Sequence, residues 1–371
     1  MRDGYRLRWR LTAWIFAAGF ACGLAYLVMR DVVLRPAGSE EAELVPGKTI
    51  LFARGACGGT TRYVRKAAVL GTYMTVQVHT RSRTLAGEAT AAAVEEVGRL
   101  EKMMSRFDPE SDLSRVNRRA GVAPVKAPDE LLGVVERSLT WCRRTSGALD
   151  ITCVPLLEAY KKAAAAGRAP DDEEISAALK RVDWRKVHVD RAASTIRFDG
   201  AGMSLDLGAT AKGYAVEEAA RVLKKYGIKH ALVEIGGEVV VFGGRGDGKP
   251  WRVGIRDPRR RGRYLATVAL VDGAVATSGN YERYIEAEGR RHSHIVDPRT
   301  GRTADAAVSV TVVASDCLDA DALATAFSVM GPEKALDAAK RLDGVETLFL
   351  WREGGVERVM ESEGFGRLKT R

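Results

Sequence analysis

The chain has 371 residues, 46% hydrophobic and 29% charged, with a formal net charge of +10. That is ordinary globular composition, long enough for one large domain or two small ones. The basic balance does not make it a nucleic-acid binder. Acidic residues run throughout, no nucleic-acid motif is present, and the densest basic run, Arg256 to Arg263, lies between two strand-like segments, where it reads as a solvated hairpin loop.

Arg2, Arg6, Arg8 and Arg10 precede Leu11 to Met29, which carry no charge. Such a run just reaches the length that spans a bilayer core of roughly 30 Å. It is also longer than the apolar core of a cleaved signal peptide. Arginines ahead of the span predict that residues 1–10 stay in the cytoplasm. The expectation is a single-pass inner-membrane signal anchor over 11–29 and a remainder facing the periplasm. Cleavage after Ala21 or Ala25 is the alternative. Lipid attachment at Cys22 is disfavoured, because Gly19-Phe20-Ala21 lacks the usual aliphatic residue. Residues 30–66, with Pro36, Pro46, Gly55, Gly58 and Gly59 and little periodicity, read as a linker. No pair among Cys57, Cys142, Cys153 and Cys317 has metal-site spacing. A Cys142–Cys153 disulfide and buried free thiols are both open readings.

Alternating Met74, Val76 and Val78 predict a strand within 67–80. Leu85, Ala89, Ala93, Val97, Leu100 and Met104 mark one face of a helix. A turn-prone stretch, 105–112, follows. Pro128 and Asp129 open a helix that ends near Gly147, and Leu149 to Cys153 is strand-like. The acids Asp171 to Glu174 suit a helix start. Strands are then predicted at 186–190, 195–198, 203–207, 231–235, 239–242, 251–255, 264–270, 274–277 and 308–313. Ala211, Ala215, Ala219, Val222 and Tyr226 predict a helix after Gly208, closed by Gly227. Helices at 321–330 and 333–342 precede a last strand at 345–350. Strands and helices do not alternate regularly, so the predicted class is α+β, with mixed, mainly antiparallel sheets flanked by helices.

Familiar sites are absent. There is neither a G-x-x-x-x-G-K-[ST] loop nor a G-x-S-x-G elbow, and the glycines of 243–248 lie between strands rather than ahead of a helix. Oxygen donors remain. Asp321 and Thr325 are four apart on a predicted helix, hence on one face, and suit a hard cation such as Mg²⁺ or Ca²⁺. On spacing alone, a helix-start Asp and a packed Thr explain them better. Asp206 precedes the Gly208 turn and Lys212 lies in the first turns of the next helix, a common place to hold an anion.

As a set, these segments resemble the ApbE-type FAD:protein FMN transferases. The resemblance covers about residues 67 to 350. It rests on eight blocks in order: Leu70-Gly71-Thr72; 104–111 with Asn117; 146–152 with Pro155-Leu156; 206–214; Gly236-Gly237; 278–281; 294–301; and 320–326. It implies an ApbE-like, T-fold-like single domain over 67–365. It also implies Mg²⁺ held by Asp321, Thr325 and the Ala209 carbonyl. FAD contacts would fall on Leu70, where the family often has Met, on Phe107 as a stacking residue, on Ala148, Leu149 and Asp150, and on Asp206, Lys212, His294 and Ile295.

The implied reaction moves FMN from FAD to a Ser or Thr hydroxyl of an acceptor flavoprotein and releases AMP. The family's usual acceptors are redox-pump subunits and electron carriers. Lys212 would face the phosphates, with His294 the first choice as base and Asp206 the second. The alternative is a membrane-anchored protein that binds or hydrolyses FAD without transferring it.

Overall fold

The computed structural model describes residues 50–57, 59–280, 284–287 and 290–370. The expected anchor over 11–29 lies outside them. Among the described residues no helix is long and apolar enough to cross a membrane, so the single-pass inner-membrane placement expected from the sequence is not supported.

The chain builds one nine-stranded sheet and packs a layer on each face. Strand β1 is Ile50–Cys57, β2 Thr60–Val69, β3 Thr72–Thr80, β7 Ala231–Ile235, β8 Glu238–Phe242, β11 Gly273–Gly279, β14 Ala307–Ala314, β15 Glu346–Glu353 and β16 Val356–Glu361. Their spatial order is β1-β2-β3-β7-β8-β11-β14-β15-β16, antiparallel at each pairing. This is the mainly antiparallel α+β arrangement expected. The expected linker, however, contains β1 and most of β2. Polar Arg62, Arg65 and Lys66 obscure the alternation of β2.

Helices α1 (Arg83–Met104), α6 (Ala211–Lys225) and α7 (Cys317–Met330) share one apolar core with one face of the sheet. The other face is covered by the β9–β10 hairpin (Trp251–Arg256, Tyr264–Leu270) and a short C-terminal helix, Phe365–Leu368. Alternate residues therefore go to different cores. Val240, Ala274, Val310 and Val312 face the helices, while Val239, Val241, Val275 and Val313 face the hairpin. Burial on both faces explains why β8 reads as an apolar run after Glu238 and why β14 is buried along its whole length, Ser309 and Thr311 included.

Between α1 and α6 the chain adds α2 (Asp112–Arg118), strand β4 (Val125–Lys126), α3 (Asp129–Arg144), α4 (Val154–Ala165), α5 (Asp172–Leu179) and strands β5 (Val187–Asp190) and β6 (Thr195–Phe198), with β4, β6 and β5 forming a small sheet. Helix α5 opens with a reciprocal capping box between Asp171 and Glu174, which is why the acids of 171–174 signalled a helix start. Strands β12 (Tyr284–Ala287) and β13 (Arg290–Ser293) pair with each other, and α8 (Pro332–Ala339) follows α7.

Two expected strands do not form. Residues 149–153 form turns leading into α4, and residues 203–207 pair with no strand. Instead, the Asn117 side chain does for Leu205 what a neighbouring strand would. Its Oδ1 accepts the Leu205 N–H at 2.8 Å and its Nδ2 donates to the Leu205 carbonyl at 3.0 Å. The Asp206 N–H donates to the Ile151 carbonyl at 2.7 Å.

Candidate active site

Two tight hairpins meet at one end of the large sheet. Leu70-Gly71 join β2 to β3 with φ of 51° and 67°, and Gly236-Gly237 join β7 to β8 with φ of 60° and 108°. Two-residue hairpins need positive φ, which suits glycine and strains Leu70. Glu101 of α1 fixes that turn by accepting the Leu70 N–H at 3.0 Å. A Cβ on Gly236 would lie 2.9 Å from Thr72 Cγ2, so the missing side chain lets the two hairpins touch. The C-terminal end of β11 closes the same end, with the Thr277 carbonyl 3.5 Å from where a Gly237 Cβ would sit.

Onto this end come the start of α6 and the middle of α7. Asp321 lies on the buried face of α7 and is 2% exposed. Its Oδ2 accepts the Gly213 N–H at 3.0 Å. Gly213 sits in the first turn of α6, where backbone N–H groups lack intrahelical partners, and the capping Thr210 makes no side-chain cap bond. Asp321 thus serves as a cap supplied by another helix, and the helix dipole favours its charge. The two helices approach this closely because position 213 has no Cβ. A methyl there would collide with the Cys317 carbonyl and stand 2.8 Å from Leu318 Cα. Lys212, from the same turn, forms a close ion pair with Glu238 of β8, and its Nζ lies 3.8 Å from Asp321 Oδ1. Burial pushes the Glu238 and Asp321 carboxyls upward from ordinary carboxylate values, and the Lys212 charge opposes that rise. One turn past Asp321, the Thr325 hydroxyl is 3.3 Å from that of Ser278 on β11.

The remaining predicted residues lie on segments that are each fixed by their own contacts. Asp206 accepts the Gly208 N–H on Oδ1 at 2.7 Å, and its Oδ2 is 2.8 Å from Arg106 Nε. The Arg106 Nε–H is not aimed for a hydrogen bond, so that contact is a charge pair. The Arg106 guanidinium in turn stacks 4.1 Å from the centroid of Phe107, whose ring is 77% exposed. Asp305 ties the His294 segment to β11: its carboxylate accepts the Ser293 N–H at 2.6 Å, and its carbonyl accepts from Asn280 Nδ2 at 3.2 Å. His294 is half-buried, while Ile295 is buried and donates its N–H to Ser293 Oγ at 3.1 Å. The turn at Arg299 reaches within 3.9 Å of where a Gly147 Cβ would lie, beside Ala148.

The Asp150 carboxylate is turned into its own loop. Its Oδ1 accepts both the N–H and the hydroxyl of Thr152, at 2.8 and 2.7 Å, and its Oδ2 accepts the Trp184 N–H at 3.1 Å. Burial raises its pKa, and these donors hold it back toward the charged form. That carboxylate therefore shapes the loop 147–152. Ala148 and Leu149 are buried, and Ala209 is partly buried against the core. Cys142, Cys153 and Cys317 are free thiols, which settles the open question between Cys142 and Cys153. Sequence reasoning left Arg106 and Glu238 without roles, although each sits inside or beside a block singled out.

For a metal, the donor set is one carboxylate, one hydroxyl and a main-chain carbonyl. Among the described residues no group of three or more His, Cys, Asp or Glu is placed to hold an ion, as expected for a set containing one such residue. Besides the Gly213 N–H, the Asp321 carboxylate faces Lys212 at 3.8 Å and the Glu238 carboxyl, and Thr325 makes a weak hydroxyl contact. These hard oxygens fit a hard cation.

Comparison with known proteins gives one answer. The ApbE family model matches residues 70–349. A FAD:protein FMN transferase of Treponema pallidum is 36% identical over 337 residues, covering 85% of this chain and 91% of the relative. The protein of that name from Vibrio cholerae is 37% identical over 241 residues, covering 64% and 72%. The crystal structure of the ApbE protein of Thermotoga maritima superposes with a TM-score of 0.75 at 31% identity, covering 84% of this chain and 100% of that one. The apo flavinyl transferase ApbE of Pseudomonas stutzeri gives 0.69 at 31%, covering 88% and 98%.

Proposed function

The chain belongs to the ApbE family, and from that premise we propose that it is a FAD:protein FMN transferase, moving FMN from FAD to a Ser or Thr hydroxyl of an acceptor flavoprotein. The observation that carries this reading is the meeting of Lys212 and Gly213 with Asp321, more than a hundred positions apart, at the sheet end that also gathers Thr325, Ser278 and the two glycine hairpins. Such a site sets one ammonium beside hard oxygen donors, the kinds of group that a metal-bound pyrophosphate requires.

In the reaction, the acceptor hydroxyl oxygen attacks the phosphorus of the FMN half of FAD. The bond from that phosphorus to the bridging oxygen breaks, AMP leaves with the bridging oxygen, and the hydroxyl proton passes to a base. Catalysis of this kind is mostly positioning and charge neutralisation. Asp321, Thr325 and the Ala209 carbonyl would hold Mg²⁺, which when bound neutralises charge on the pyrophosphate. Lys212 adds a cation beside it. The exposed ring of Phe107, already carrying Arg106 on one side, offers a surface on which the isoalloxazine stacks. Leu70, Ala148, Leu149 and Ile295 supply backbone groups and apolar walls, and Asp150 holds the 147–152 loop in shape. His294 is the better choice of base. The Asp206 carboxylate is already engaged by Gly208 and Arg106, which suits it to anchoring rather than proton transfer. The acceptors that fit are redox-pump subunits and electron carriers that carry covalent FMN.

The test incubates the chain with FAD, Mg²⁺ and an acceptor flavoprotein, follows AMP release, and looks for flavin fluorescence on the acceptor band after denaturation. Covalent fluorescence with matching AMP is the expected outcome. AMP without labelled acceptor would make the protein a FAD hydrolase, and neither signal would leave a FAD-binding protein. A His294→Ala variant that transfers at the wild-type rate across pH would remove His294 as base.

A further inference from the structure

Glu238 has no part in the scheme above, yet it is the most deeply buried charged group at the site. It opens β8 immediately after the Gly236-Gly237 turn and is 1% exposed. One carboxylate oxygen, Oε1, takes the Lys212 ammonium, the other, Oε2, is buried without a well-formed hydrogen bond, and the carboxyl also faces that of Asp321. An isolated buried carboxylate is costly, and half of this one is left unsatisfied. The ammonium it holds is 3.8 Å from Asp321 Oδ1.

Lys212 stands between two acids and is drawn close to only one. A lysine cation released toward Asp321 would compete with any divalent cation for the same oxygen. We propose that Glu238 is a positioning residue that acts through Lys212: by holding the ammonium on its own oxygen it keeps Asp321 Oδ1 available to a divalent cation. This rests on the reading of Asp321 as a metal ligand given above. Glu238 touches neither substrate nor metal in this role. It also sets where the Lys212 charge stands relative to the incoming pyrophosphate.

The experiment measures Mn²⁺ affinity of the full chain by electron paramagnetic resonance, without FAD, so that no turnover enters the readout. Glu238→Gln keeps the shape and removes the charge, and it should weaken Mn²⁺ binding at least tenfold. Glu238→Asp, which keeps the charge but retracts it, should fall between. In a Lys212→Met background no competing ammonium remains, so adding Glu238→Gln should leave the Mn²⁺ affinity within about twofold of Lys212→Met alone. That double variant removes both charges together, a change buried pairs tolerate far better than loss of one partner, so it also serves if Glu238→Gln alone does not fold. Wild-type affinity in Glu238→Gln, or an equal loss in the Lys212→Met background, overturns the proposal. Asp321→Ala separates the premise from the inference. If it binds Mn²⁺ as wild type does, the metal reading itself has failed. If it abolishes binding while Glu238→Gln changes nothing, only the role of Glu238 has.

Discussion

Gly213 and Lys212 show how much of this site depends on single side chains. Adding one methyl at 213 forces the start of α6 away from Cys317 and Leu318, and takes the Gly213 N–H from Asp321. Gly213→Ala should therefore destabilise the fold by about 1–3 kcal/mol, the usual cost of overpacking, as read from urea unfolding. It should also lower Mn²⁺ affinity, which the same methyl at exposed Gly227 would not do. Lys212→Met removes the one ammonium set between Glu238 and Asp321. Loss of a preorganised cation facing a charged transition state costs about 10²–10³-fold, so kcat should fall by that order with FAD still bound. A kcat unchanged within threefold would exclude Lys212 from the transition state.

Among the elements, the segment 203–207 is the most instructive. Its apolar run predicts a strand, and the chain there is extended, but one asparagine side chain takes the place of a neighbouring strand. Asn117→Ala leaves the Leu205 N–H and carbonyl unpaired, at about 1–3 kcal/mol for a part-buried group. Because Asp206 is the next residue, the KM for FAD should rise more than kcat falls. An unchanged KM would mean that the Ile151 contact alone holds Asp206 in place. The long helices α1, α6 and α7 and the strands β7 to β11, β14 and β15 were legible because apolar periodicity is strong where a face is buried. Helices α2 and α4 and strands β1, β4, β12 and β13 were not, nor were most of β2 and all of β16. Charged residues mask β2 and β16, and Pro155 at the start of α4 reads as a break although it is well placed in a first turn.

At the scale of the whole molecule, the sheet and the β9–β10 layer are joined by a buried histidine. His79 of β3 accepts the Gly246 N–H on Nδ1 at 2.9 Å, faces the Gln77 amide at 3.0 Å through Nε2, and meets the Trp251 ring edge-on at 5.0 Å. Burial first, and then the Arg62 charge, lower its pKa from 6.5 to about 4. The folded state thus disfavours the protonated ring while the unfolded chain accepts the proton. Stability from this group is complete above pH 6.5 and is lost as pH falls toward 4, by up to about 3 kcal/mol. Urea unfolding at pH 7 and pH 4.5 should show that extra loss in wild type and not in His79→Gln. Equal pH slopes in the two proteins would remove His79 as the acid-sensitive joint between the sheet and the β9–β10 layer.

By itself, the sequence determined the class of the fold, most of the helices and central strands, and a set of blocks whose order identified the family, because each of these is a local pattern of polarity or turn chemistry. Tertiary structure decided what those blocks do to one another. It made Asp321 a cap for a helix a hundred residues earlier, turned the Asp150 carboxylate inward, paired Asp206 with Arg106 and gave Lys212 to Glu238. No periodicity encodes those pairings. They follow from which buried charges are left within reach of one another once two glycine hairpins and a glycine at position 213 have let the backbone close.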